Sequence, residues 1–282
     1  MIAGLDPFGI VEMLSHDFMR NAFVAGTAIA IASGLLGYFV VLRGQVFAGD
    51  ALSHVTFSGA LAALAIGVDV RVGAFVSAVL VALVLGATGR SGQADDVVIG
   101  VVFAWTLGLG VLFLSLYTTH RSTGNGAAGV SVLFGSILGL DSSRAWFAVA
   151  IAIIVTLAIA MFARPLLFSS VDATVAASRG VPVRILGLVF LIALGVTAAE
   201  ATQAVGALLL LGLLAAPGAV AHRLTAQPFR ALALSAMVAV VCTWIGLVFS
   251  YRVSRVPASS AIVAALCVTY AGVAVFTRLR RG

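Results

Sequence analysis

Two ionisable side chains stand four residues apart in an otherwise apolar stretch: Asp50 and His54, in Gly-Asp-Ala-Leu-Ser-His at 49–54. That spacing places them on one face of a helix, one turn apart. A carboxylate oxygen beside an imidazole nitrogen is a ligand set suited to a borderline divalent metal such as zinc, manganese or ferrous iron. The same pair can instead satisfy itself across the turn as a structural contact, or relay a proton, and spacing alone leaves all three readings open. An ionisable group at membrane depth is costly, which makes each of the two a functional candidate. Ser53, one position aside, is within reach to supply a hydrogen bond.

The other chemistry-bearing residues are scattered. Glu200 stands with Thr202 and Gln203 near the end of an apolar run. It reads either as part of a metal entry site or as an interfacial carboxylate facing water. Asp95 and Asp96 precede another run and read as structural acids on the cytoplasmic side. His222 follows the Pro217 segment and reads as interfacial rather than as an exit ligand, and His16 and His120 fall outside the apolar runs. Cys242 and Cys267 lie within apolar segments and read as buried helix residues, not as a disulfide or a metal pair. There is no His-Glu-x-x-His, no Cys-x-x-Cys and no nucleophile with a base beside it, so an enzyme is disfavoured.

These residues sit in a chain that cannot be soluble. Of 282 residues, 62% are hydrophobic and 9% charged, with a mean hydropathy of +1.20, against about 25% charged in an ordinary soluble domain. No water-soluble fold of this size hides so much apolar surface. The apolar runs are continuous over roughly 17–25 residues, which predicts spanning helices rather than the alternating strands of a barrel. Nine spans are expected, at about 21–42, 45–68, 72–89, 97–116, 145–168, 183–201, 204–222, 229–250 and 259–277. Val130–Leu140 is apolar but too short to cross, so it predicts a re-entrant or packing helix. Tyr117–Gly129, rich in Gly, Thr and Ser, predicts an exposed loop, and residues 1–17 a short interfacial segment. The expected fold is an all-α polytopic bundle forming a single membrane domain, packed through its 30 glycines and many alanines.

All 16 basic residues are arginine. Without a lysine the chain has no P-loop nucleotide site and no Schiff-base chemistry. The arginines stand singly between apolar runs, which indicates membrane orientation and not nucleic-acid binding. With the N-terminus outside and the C-terminus cytoplasmic, ten arginines fall inside and six outside. This is the expected orientation in a bacterial inner membrane.

Gly-Asp-Ala-Leu-Ser-His at 49–54, followed by Thr-Phe-Ser-Gly at 56–59 and preceded by Gly34, Gly37 and Val-Val-Leu-Arg ending at Arg43, resembles the metal-import ABC permeases, the zinc, manganese and iron group often called ABC-3. Two further stretches resemble the same family in the same order. Asp172-Ala-Thr-Val-Ala-Ala-Ser-Arg-Gly180 is similar to its cytoplasmic coupling helix, with Asp172, Ala176 and Gly180 matching. Read from the residues alone, it is a short polar helix with Asp172 as N-cap and Gly180 and Pro182 as stops. Val205–Ala221 is similar to a family stretch with a helix-kinking proline, here Pro217. One position departs: where the family has an Asp two residues before a Pro at the last helix, this chain has Arg255.

The resemblance implies an ABC importer permease that moves a divalent transition metal. Asp50 and His54 would line the path as transient ligands, and Glu200 is a weaker candidate. No cofactor would be held permanently, since the metal is cargo. The implied partners are a second copy of the chain in a homodimer, a separate ATPase docked on residues 170–182, an extracytoplasmic metal-binding protein and membrane lipid. The competing expectation is an ion- or proton-coupled secondary carrier or channel that uses the Asp50–His54 pair as a relay.

Overall fold

The computed structural model describes residues 10–89, 93–120, 137–253 and 255–280. They form an all-α bundle. A short helix α1 (Ile10–Ser15) precedes α2 (Asp17–Leu42), α3 (Val46–Ile66), α4 (Val70–Thr88) and α5 (Asp96–His120). A single 3-10 turn, Ile137–Gly139, leads to α6 (Ser142–Val171) and the six-residue α7 (Ala173–Ser178). Then come α8 (Val183–Val205), α9 (Ala207–Leu224), α10 (Pro228–Arg252) and α11 (Ala258–Leu279).

Local chemistry sets the boundaries. Gly44, at φ +68, turns α2 into α3, with its own N–H on the Val41 carbonyl and that of Gln45 on the Val40 carbonyl. That paired-bond closure ends a helix on a left-handed residue and leaves a tight, fixed turn. Asp69 starts α4 by accepting a 2.7 Å bond from the Arg71 N–H. Pro228 opens α10 at a position where its missing N–H costs nothing.

Eight of these helices are long and apolar enough to cross a bilayer. The span expected at 204–222 begins a little later: positive-φ Gly206 separates α8 from the eighteen-residue α9, Ala207–Leu224. The expected loop from Tyr117 is also shorter, because α5 continues through His120. Of the expected packing segment 130–140, only the 3-10 turn and Leu140 fall within the described residues.

Helices α2, α3 and α8 form the interior, where Phe39, Phe190, Leu36, Leu52, Leu61 and Leu194 are fully buried. Helix α3 packs on α4 and α5, α4 on α8, and α2 on α6, α9 and α10. Backbones meet closely where α2 crosses α9 and α10. A Cβ on Gly218 would stand 2.5 Å from the Gly37 carbonyl oxygen, and one on Gly34 would stand 2.8 Å from Ala236 Cα. Ser235 seals the second crossing by donating a 2.6 Å bond to the Gly34 carbonyl. Outward-facing positions carry large apolar residues such as Val97, Trp105, Ile154, Met161 and Val268. Only lipid or another apolar surface suits such a face.

Candidate metal-path site

Asp50 and His54 lie in the first three turns of α3, just beyond the Gly44 turn. His54 Nε2 stands 3.8 Å from Asp50 Oδ1, and the two side chains keep 23% and 27% of their exposure. That distance is too long for a hydrogen bond, so the pair does not close on itself. Bonds of about 2.1–2.2 Å from a shared divalent cation would meet at roughly 120–130° across this gap, so an ion can bridge the pair without moving the helix. The His54 ring sits edge-on to Phe103 of α5, 5.2 Å between centroids, which limits its rotation. Ser53 supports the turn rather than the ligands: its Oγ donates a 2.7 Å bond to the Asp50 carbonyl.

A cavity of about 400 Å³ opens beside the pair, lined by Phe47, Asp50, Asp96, Ile99, Gly100 and Phe103. Its walls are apolar except for the two carboxylates. The neighbouring acids of α5 have divided roles. Asp95 Oδ1 caps the helix, accepting a 2.8 Å bond from the Val97 N–H, whereas exposed Asp96 has no hydrogen-bond partner among the described residues. Asp95 thus has the structural role expected of both acids, while Asp96 lines the cavity. Asp96 shares a cavity with Asp50 from 46 positions away in the chain, which only the packing of α3 on α5 reveals.

Glu200 does not join them. Among the described residues no three His, Cys, Asp or Glu side chains converge as a metal group. Nor does Glu200 face water: it is 8% exposed on α8, which packs against α3 and α4. Position near a helix end suggested an interfacial carboxylate, but lateral neighbours decide burial. Pro217 lies inside the continuous helix α9, beside the Gly37–Gly218 contact. His222 stacks on Tyr38 at 4.5 Å and 10°, with Nε2 3.2 Å from the Tyr38 carbonyl oxygen, a packing role. Arg255 is exposed in the turn between α10 and α11, which Ser250 closes by bonding the Val256 carbonyl.

The segment at 170–182 folds around α7. Asp172 Oδ1 accepts a 2.9 Å bond from the Val175 N–H. Gly180, at φ +81, ends the segment, with the Val181 N–H on the Ala176 carbonyl. Ala176 is fully buried against the bundle, so it anchors the helix and does not present itself to a partner. The exposed face carries Thr174, Val175, Ala177 and Ser178. Beside it lies an open depression of about 640 Å³, lined by Ala173, Thr174, Ala177, Pro182, Val183, Arg184 and Ile185.

One buried cation was not singled out as functional from sequence. Arg43, 7% exposed, donates from Nε to Ser170 Oγ at 2.8 Å and from Nη2 to Ser169 Oγ at 3.1 Å. Its guanidinium lies 5.0 Å from the centroid of the Phe190 ring. Burial lowers this group to about 10, so it stays charged at neutral pH.

Comparison with known proteins agrees with this architecture. The chain is 32% identical over 240 residues to the manganese transport system membrane protein MntC of Halalkalibacterium halodurans, covering 85% of this chain and 80% of that protein. It is 27% identical over 245 residues to the chelated iron transport system membrane protein YfeD of Yersinia pestis, covering 86% and 80%. Its fold is similar to that of PsaBC from Streptococcus pneumoniae, solved in complex with a Fab, with a TM-score of 0.81, 25% identity and 97% and 95% of the two chains covered. The model of the ABC 3 transport family matches residues 15–277, and the chain belongs to that family, as a membrane-embedded transport subunit and not an enzyme.

Proposed function

We propose that this chain is the permease of an ABC importer for a divalent transition metal, with Asp50 and His54 as transient ligands in the path. The observation that carries this is the open Asp50–His54 gap of 3.8 Å beside a cavity shared with Asp96. The names of the relatives, manganese transport and chelated iron transport, support a metal cargo and favour manganese or iron over zinc.

One chain offers a cation two side-chain ligands, fewer than a divalent metal holds in a closed site. A second copy facing the first would supply two more, so the working unit is a homodimer with the path between copies. A site of few, partly exposed ligands suits transport, which requires release as well as binding. Asp96 is the next carboxylate along the cavity. The end of the bundle with Arg43, α7, Arg184 and Arg223 is cytoplasmic in this reading, in line with the arginine asymmetry. An ATPase docks on the exposed face of α7, and an extracytoplasmic protein delivers metal to the opposite end. ATP binding moves the two copies between inward- and outward-facing states.

The test is manganese uptake into proteoliposomes holding the permease with its ATPase. Uptake that requires ATP and persists when the proton gradient is collapsed supports the proposal. Uptake without ATP that follows the proton gradient would replace it with the secondary-carrier reading.

A further inference from the structure

We infer that Arg43 is a positioning residue that transmits movement of the ATPase-docking segment to the Asp50–His54 pair. This rests on the reading of residues 170–182 as that docking segment. Arg43 is the C-cap of α2, and the double-bonded turn at Gly44 and Gln45 ties it directly to the start of α3. Asp50 stands one turn into that helix. On its other side the guanidinium grips the last turn of α6, whose final residue, Val171, adjoins the Asp172 cap of α7.

The grip is geometrically defined. Ser170 Oγ donates to the Leu166 carbonyl at 2.6 Å, and Ser169 Oγ donates to the same carbonyl at 3.0 Å. Both hydroxyl protons are thereby committed, and their lone pairs accept from Arg43. Arg43 sits at the C-terminal ends of α2 and α6, where the helix dipoles favour positive charge. Phe190 of α8 closes the third side. Arginine suits this place because its planar fork donates to two hydroxyls at once, whereas a lysine ammonium is a single point with a flexible stem. A continuous run of chain and short hydrogen bonds therefore leads from α7 through Ser169, Ser170 and Arg43 to the first turns of α3. Where α7 is displaced by a docked motor, the start of α3 moves with it.

The experiment uses the complete complex in proteoliposomes and reads ATP hydrolysis and manganese uptake on the same samples. The variants are Arg43→Lys and Ser169→Ala, the second, outside the docking segment, guarding against misfolding of the first. The expected result is hydrolysis near the parent rate with uptake lowered about tenfold, so that more ATP is spent per ion. Parallel loss of both activities would mark Arg43 as structural only, and unchanged uptake per ATP would also overturn the inference. Val175→Asp on the exposed face of α7 tests the underlying reading separately. If that variant still assembles with the ATPase at full affinity, the docking segment lies elsewhere, whatever the Arg43 ratio shows.

Discussion

The crossing of α2 and α9 offers a sharp test of how tightly this bundle is built. A methyl group on Gly218 would stand 2.5 Å from the Gly37 carbonyl oxygen and 3.1 Å from the Tyr38 nitrogen, where ordinary contact begins near 3.4 Å. The colliding atoms are backbone, so no rotamer change relieves them, and the helices must separate by about 0.9 Å. Separation also loosens the Tyr38–His222 stack one turn away. Overpacking of this kind costs about 1–3 kcal/mol. At roughly 2–4 °C per kcal/mol for chains approaching this size, Gly218→Ala should lower the thermal midpoint in detergent by several degrees. The control is Gly272→Ala on α11, where an added Cβ meets nothing within 4 Å. There the better helix propensity of alanine should raise stability by about 0.5–1 kcal/mol. The assay is the fraction of monodisperse protein surviving a fixed heating ramp, read by size-exclusion chromatography, a readout that does not require unfolding to be reversible. A Gly218→Ala protein as stable as the parent would refute the close-approach argument, as would a shift of the same sign and size in both variants.

Two further outcomes follow from the site. Asp96→Asn removes one carboxylate charge from the cavity beside Asp50; a loss on the order of 1 kcal/mol should slow manganese uptake roughly fivefold to tenfold, without impairing ATPase docking, and unchanged uptake would remove Asp96 from the path. Asp172→Ala deletes the cap of α7 at a cost of about 1 kcal/mol, so titration of the ATPase onto the permease in nanodiscs should show docking weakened about fivefold; identical binding curves would mean the cap does not organise the docking face.

Much of the fold was legible because lipid imposes long apolar runs, and those runs mark α2–α6, α8, α10 and α11 directly. The start of α9 was less so, because the positive-φ Gly206 that sets it is a backbone feature an apolar run does not disclose. The extra turn of α5 through His120 runs against its Gly- and Ser-rich continuation, since helix already under way propagates more readily than it starts. Asp50 and His54 were legible because their relation is local, one turn of one helix. Asp96 and the Arg43 grip were not, because the first depends on α5 packing beside α3 and the second on partners more than a hundred residues away. Ala176 shows the same limit from the other direction. Its spacing from Asp172 matches a docking pattern, yet packing turns it inward and hands the exposed face to Thr174 and Val175. Glu200 follows the same logic, since a helix seen alone does not disclose what lies beside it.

The most direct test of the central claim is ATP-driven manganese uptake by the complete complex carrying Asp50→Asn or His54→Ala in the permease. The account predicts that each substitution alone reduces uptake to background while membrane insertion and ATPase binding stay at the parent level. Uptake at the parent rate in either variant would contradict it.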